Sequence, residues 1–297
     1  MWKYYTFRLA YLLLGRLSLP ALYGIARVAG DAAHRWRRNT RDAVASNMRR
    51  LLGSEAGEDE VQRATREVFR SVGRYYADLI HVGRLDVERF YNERFEIEGE
   101  EYLHDAKDSG RGAVLVGMHF GNPEMAVQPL AAKGFSIMGL AEPLEPKALS
   151  DFTLWLRERQ GHVYRTLGYA GLKETIRRLK SGGLVAILID RDVAGTGVPM
   201  RFFGAEASIS LGAVDFAMRT GADLIPAKSW RLPGYGFKVV VEPPVEIIRT
   251  GDLEADLRSN TERLLPMFEE LLRSDPGQWA VLEAIWKDQP AEKGTVQ

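Results

Sequence analysis

From residue 112 onward the chain alternates short apolar runs with longer stretches of helical spacing, and this alternation limits the fold more than any other feature. The apolar runs at 112–117, 136–141, 184–189, 223–228 and 237–241 have the length of buried strands, and Phe95-Glu-Ile-Glu98 alternates like a half-buried one. Helical spacing fills 124–133, 146–160, 171–180, 211–220 and 252–273. Such alternation predicts an α/β fold: a mixed, partly parallel central sheet flanked by helices. Residues 1–90 read as helical throughout. Segments 41–52 and 59–82 repeat apolar residues at helical spacing, the second through Val61, Ala64, Val68, Val72, Tyr76 and Leu79, and Gly53-Ser-Glu-Ala-Gly57 breaks them apart. The expected division is a helical N-terminal segment over 1–90 packed on an α/β core over 91–290, with a tail at 291–297.

The run Gly112-Ala-Val-Leu-Val-Gly117 leads directly into His119-Phe-Gly-Asn-Pro-Glu124. Phe120-Gly-Asn-Pro123 reads as a sharp turn, and Glu124 opens the next helix. Open α/β sheets hold their chemistry at the carboxyl ends of strands, where this His stands. A neutral imidazole near pH 7 can take a proton from a hydroxyl, and a carboxylate on its other nitrogen fixes the tautomer. A structural His beside a helix-capping Glu fits the same local pattern. A second strand end carries Asp190-Arg191-Asp192, followed by the Gly-rich turn Ala194-Gly-Thr-Gly197. In a parallel sheet it shares a rim with His119.

Composition removes several alternatives. The chain has no cysteine, hence no disulfide, thiolate nucleophile or Cys-type zinc site. It has no G-x-S-x-G elbow, phosphate-binding loop, dinucleotide fingerprint or H-E-x-x-H pair. The remaining histidines, at 34, 81, 104 and 162, are scattered without ligand spacing. The net charge of zero divides into +8 over residues 1–50, from ten Lys/Arg against two Asp, and −8 over the rest. The basic stretch is also rich in Leu, Tyr and Trp, which fits anionic lipid and not nucleic acid. Its longest uncharged run, 17–26, is ten residues with Pro20 inside, against the roughly 20 that a membrane span needs. The expectation is an interfacial helix pair on the cytoplasmic face of the cell membrane, with Tyr4, Phe7, Tyr11, Leu12 and Leu14 on the apolar side; an ordinary amphipathic helix packed on the domain fits the same residues.

His119-Phe-Gly-Asn-Pro-Glu124 resembles the H-x4-D/E motif of the glycerolipid acyltransferase superfamily. The form H-F-G-N-x-E is closest to the bacterial lipid A lauroyl/myristoyl acyltransferases and the related phosphatidylinositol mannoside acyltransferases. Ile187-Leu-Ile-Asp190-Arg191-Asp192, Gly197-Val-Pro-Met-Arg-Phe-Phe203-Gly204, Thr220-Gly-Ala-Asp-Leu-Ile-Pro226 and Pro276-Gly-Gln-Trp279 with Trp286-Lys287 resemble that family's later blocks in the same order. The likeness runs from about Arg41 to Lys287. Pro123 stands where the lipid A enzymes usually carry Trp, and Leu282-Glu-Ala-Ile285 stands where they show a basic L-H-R-R run. The Asp190-Arg191-Asp192 form leans towards the mannoside-type branch.

The resemblance implies a membrane-associated O-acyltransferase that moves a fatty acyl chain from acyl-CoA or acyl carrier protein to a hydroxyl of a glycolipid. His119 would be the base, oriented by Glu124 with Asp190 as a second carboxylate. Asn122, Arg191, Asp192, Gly197 and Phe203 would border the substrates, with Arg191 on a phosphate or phosphopantetheine. One of Arg157 and Arg159, here Arg159, would lie near the acceptor headgroup. Backbone N–H groups at Gly121 or at the Gly195–Gly197 turn would face the oxyanion. No metal or redox cofactor is required. Two rivals stay open. An Asp-x-Asp after a strand also holds a metal in nucleotide-sugar glycosyltransferases, and a catalytically silent lipid-binding protein could keep the same fold.

Overall fold

The computed structural model describes residues 1–286, so the expected tail at 291–297 and Lys287 lie outside it. Four helices come first: α1 (Trp2–Leu14), α2 (Leu19–Trp36), α3 (Arg38–Leu52) and α4 (Glu58–His81). Helix α4 begins with Glu58, Asp59 and Glu60, whose charges suit the positive end of the helix dipole. It lies along α2, and Asp31 of α2 takes both Arg66 and Arg70 of α4, at 2.8 and 2.7 Å. The core then runs α5 (Val87–Arg94), β1 (Phe95–Glu98), α6 (Glu100–Asp108), β2 (Ala113–Gly117), α7 (Pro123–Val127), β3 (Ile137–Ala141), α8 (Lys147–Arg157), β4 (Val163–Thr166), α9 (Tyr169–Lys180) and β5 (Leu184–Leu188). A hairpin, β6 (Val198–Phe202) and β7 (Ala205–Ile209), precedes α10 (Gly212–Thr220), β8 (Asp223–Arg231), β9 (Phe237–Val241), α11 (Leu253–Glu262) and α12 (Leu265–Ser274).

Seven strands form one sheet in the order β1-β9-β8-β2-β5-β3-β4. All neighbours are parallel except β8 and β9, which are antiparallel. The fold is therefore α/β, with a mixed and mostly parallel central sheet. Its central strand shows how it is held. Val114 and Val116 of β2 join one apolar cluster, with α3, α4, α10 and α12, while Ala113 and Leu115 join the opposite one. Strand residues alternate between faces, and both faces are covered, so all five residues of β2 are buried.

Prolines account for two departures from the expected helices. The segment expected at 124–133 is α-helical only to Val127 and continues as a 3-10 turn over Gln128–Lys133, because Pro129 has no N–H to offer an α-helical carbonyl. The segment expected at 252–273 splits into α11 and α12 at Arg263 and Leu264, with Pro266 at the start of the second helix. Strand β4 and the β6–β7 hairpin have no counterpart in the expected pattern, since their apolar runs are too short and too mixed to stand out.

The N-terminal pair is differently arranged from the expectation. Tyr4, Phe7 and Tyr11 turn inward, with ring contacts to Phe152 of α8 at 6.2, 6.0 and 5.5 Å, and Leu14 packs on Leu22, Ala26 and Ala77. A second stripe on α1, Trp2, Tyr5, Leu9, Leu12 and Leu13, faces outward. Both stripes repeat at helical spacing, so α1 is apolar on two sides and packs with only one. Among the described residues no helix is long and apolar enough to cross a membrane.

Candidate active site

Strand register builds the centre of the site. Gly117 of β2 lies opposite Leu188 of the parallel β5. His119 and Asp190 each follow two residues past that pair, so they emerge side by side at the sheet's carboxyl edge. The His119 ring Nδ1 lies 2.8 Å from Asp190 Oδ1, and the His119 backbone N–H donates to Asp190 Oδ2 at 3.0 Å. The Trp279 indole N–H donates to the same Oδ2 at 2.7 Å. Asp190 is wholly buried, whereas the His119 side chain is 30% exposed. Burial pushes the Asp190 carboxyl up. The facing imidazole and the hydrogen bonds from His119 and Trp279 outweigh that effect and hold it below the ordinary carboxylate value.

The turn after His119 is clamped on every side. Gly121 has φ +71°, and a Cβ there would meet the Ser229 carbonyl oxygen at 2.3 Å, so only glycine fits between this turn and β8. Ala280 N–H donates to the His119 carbonyl at 2.8 Å, and Ser229 Oγ donates to the Phe120 carbonyl at 2.7 Å. Asn122, also at positive φ, caps α7 by accepting from Met125 N–H at 3.2 Å.

Positive φ at Asn122, then Pro123, sends the chain towards α4 and α8, and Glu124 goes with it. Its Oε2 accepts from Arg157 Nε at 2.8 Å and from the Tyr75 hydroxyl at 2.9 Å. The carboxylate on the His119 ring is that of Asp190. Burial pushes the Tyr75 hydroxyl up, and Glu124 adds to the rise, so it stays protonated and can donate.

The other expected residues fall into two groups. Asn122, Arg191 and Asp192 line cavities that open on His119. Arg191 is held between Glu142 at 3.3 Å and Glu283 at 2.8 Å. Asp192 closes its own turn, accepting from Ser208 Oγ at 2.8 Å and Thr196 N–H at 2.9 Å. Gly197, Arg159 and Phe203 stand off the cavity walls. A Cβ on Gly197 would strike Ser208 Oγ at 2.5 Å, so this glycine serves close packing of the turn on β7. Arg159 stacks on Trp155, with 4.9 Å from guanidinium carbon to ring centre, and its neighbour Arg157 is the one that reaches the site. Phe203 is buried against Phe202 and Trp286. The Gly121 N–H, one expected oxyanion donor, instead donates to the Gln278 carbonyl at 3.1 Å.

Two cavities meet at His119. The larger, about 710 Å3, has mainly apolar walls that include Leu115, Leu130, Ile137, Ile176 and Phe216. The smaller, about 470 Å3, is edged by Asn122, Arg157, Arg191, Arg231 and Gln278. His119, Glu124 and Arg191 belong to both. An imidazole whose Nδ1 is bound to a carboxylate keeps Nε2 as its basic nitrogen, here between an apolar chamber and a polar one.

Trp279, Tyr75 and Asp78 complete the site, although no motif in the sequence marks them as site residues. Trp279 lay within a recognised block, but its bond to Asp190 spans 89 positions. Asp78 carries a local signal: it stands seven residues after the buried Ser71 and four before the buried Val82, a helical spacing that puts it on a buried face.

Over 284 aligned residues the chain is 28% identical to the phosphatidylinositol mannoside acyltransferase of Mycobacterium tuberculosis (strain ATCC 25618 / H37Rv), covering 92% of this chain and 86% of that protein. It is 27% identical to the lipid A biosynthesis lauroyltransferase of Escherichia coli (strain K12), covering 78% and 75% respectively. Among solved structures, the 1-acyl-sn-glycerophosphate acyltransferase of Thermotoga maritima matches at a TM-score of 0.38 and 18% identity, over 70% of this chain and 87% of that one. The model of the bacterial lipid A biosynthesis acyltransferases matches residues 1–288, and the chain belongs to that family.

Proposed function

We propose that this enzyme transfers a fatty acyl chain from acyl-CoA or acyl carrier protein to a hydroxyl of a glycolipid, either lipid A precursor-like or phosphatidylinositol mannoside-like. The observation that carries the reading is His119 at the junction of the two cavities, with Nδ1 on the buried Asp190. The apolar cavity suits the acyl chain. The smaller one, whose walls carry three arginines and three glutamates besides Asn122 and Gln278, suits the polar head of an acceptor. His119 Nε2 takes the acceptor hydroxyl proton as its oxygen attacks the thioester carbonyl. The C–S bond breaks, and the leaving thiolate recovers that proton from the imidazolium. Asp190 holds the ring and stabilises its charged form. No covalent acyl-enzyme is required. The glycosyltransferase alternative needs Asp190 and Asp192 together on a metal, whereas Asp190 serves His119 and Trp279 and Asp192 serves Ser208 and Thr196.

The assignment is tested by incubating the purified protein with labelled palmitoyl-CoA or palmitoyl carrier protein and sugar-bearing lipid acceptors, followed by mass spectrometry. The expected product is an ester on an acceptor hydroxyl. Transfer of a sugar from a nucleotide sugar with Mn2+, and no acyl transfer, would overturn it.

Acyl-CoA and acyl carrier protein are cytoplasmic donors, which favours work at the cytoplasmic face of the cell membrane. The open stripe of α1, flanked by Lys3, Arg8 and Arg16, is suited to the interface of an anionic leaflet. Trp2 and Leu13 are 72% and 59% exposed, so replacing both with Ser should leave thermal stability unchanged. The same change should weaken binding to phosphatidylglycerol vesicles by about tenfold in co-sedimentation. Equal binding of the two proteins would place the membrane contact elsewhere.

A further inference from the structure

A buried network outside the proposed chemistry touches the His119 turn. Asp78 of α4 is 1% exposed. Its Oδ2 accepts from Asn122 Nδ2 at 2.8 Å and from Arg231 Nη2, and its Oδ1 accepts from the Tyr23 hydroxyl of α2. Arg231, the last residue of β8, also donates to Tyr23, and its guanidinium lies 4.8 Å from the Phe237 ring centre. The Arg231 backbone is bonded both ways to the Gln278 side chain, at 2.8 and 3.1 Å, and the Gln278 carbonyl holds Gly121 N–H. The three donors, from Asn122, Arg231 and Tyr23, leave the Asp78 carboxylate no freedom to turn.

We propose that Asp78 is a positioning residue. With Arg231 and Tyr23 it fixes the Asn122 side chain and so the turn that presents His119, which couples the docking of α2 to the geometry of the proposed base. Asn122 is 5% exposed and its amide serves two masters: Oδ1 caps α7 while Nδ2 is tied to Asp78. Removing the acceptor on Asp78 leaves Nδ2 buried without a partner, so the amide turns, the cap loosens and the turn carrying His119 loses its register. Tyr23 stands on the helix next to α1, so a change in how the N-terminal pair seats reaches this carboxylate directly. The inference rests on the reading of His119 as the base, and the test separates the two.

Asp78→Asn keeps the shape but removes the charge, and its one oxygen cannot serve Asn122, Arg231 and Tyr23 together. We expect kcat to fall by about 10²-fold with KM within about threefold, the size of effect that a misplaced base produces. Amide hydrogen exchange over 118–127 should quicken, which needs no activity to read. Adding Asn122→Asp reverses donor and acceptor across the contact and keeps a capping carboxylate. Asp tolerates the left-handed backbone there. This double variant should recover both protection and at least about tenfold of kcat. Unchanged exchange and kcat in Asp78→Asn, or a double variant no better than the single, overturns the proposal. If Asp78→Asn does not fold, Tyr23→Phe removes one hydroxyl at the network's edge. It should quicken the same exchange, and no change there is equally fatal. If exchange responds as expected but the unaltered protein transfers no acyl group, the coupling stands and the assignment of His119 as base falls.

Discussion

His119→Ala is expected to lower kcat for acyl transfer by about 10³-fold, the usual contribution of a positioned general base. Acceptor KM should change little, because the two cavities supply binding through other residues. The variant should fold. The imidazole is partly exposed, and Asp190 keeps two donors, the residue 119 backbone N–H and the Trp279 indole. Loss of one hydrogen bond to a buried carboxylate costs about 1–3 kcal/mol, within what a domain of this size can bear. Circular dichroism and a melting curve, run beside the kinetics, separate lost chemistry from lost fold. Turnover near that of the unaltered enzyme would remove His119 from the mechanism.

Asp190→Asn should be nearly as damaging, for a different reason. The carboxylate requires Nδ1 to carry the proton, which leaves Nε2 bare as the base. An asparagine keeps the volume and can still accept from the Trp279 indole and the residue 119 N–H through its oxygen. Its amide then faces Nδ1 as a donor, so the imidazole adopts the opposite tautomer with its proton on Nε2. A base in the wrong tautomer, without an anion to stabilise its charged form, loses about 10³- to 10⁴-fold in kcat in comparable carboxylate–His arrangements. Glu124→Gln is the informative comparison, because Glu124 meets Arg157 and Tyr75. If turnover survived Asp190→Asn and collapsed in Glu124→Gln, orientation of the ring would pass to Glu124.

The role of each acid was half legible in the chain. The H-x4-E spacing marks two residues that belong to one site, and it tempts one to pair them with each other. Five residues of separation do not bring two side chains together when the backbone between them turns at positive φ and is then fixed by proline. Gly121, Asn122 and Pro123 do this, and Glu124 leaves towards α8. The partner that His119 takes, Asp190, is 71 residues away, and it arrives through the register of two parallel strands. Likewise the aromatic residues of α1 announced an apolar helix, but nothing local said that Tyr4, Phe7 and Tyr11 would be covered by Phe152 while Trp2 and Leu13 would not.

What the amino-acid sequence determined by itself is what depends on neighbours along the chain. That covers the strand–helix alternation and the mixed α/β sheet, the turn after β2, the ordered blocks that mark the acyltransferase family, and the lack of a cysteine nucleophile. Periodicity and turn chemistry operate over a few residues and can be read directly. Only the tertiary structure decided which acid meets the imidazole, which arginine reaches the site, and how α2 is tied through Asp78 to Asn122. Those contacts join residues 33 to 71 positions apart, and their partners are chosen by strand register and helix packing, which no local pattern encodes.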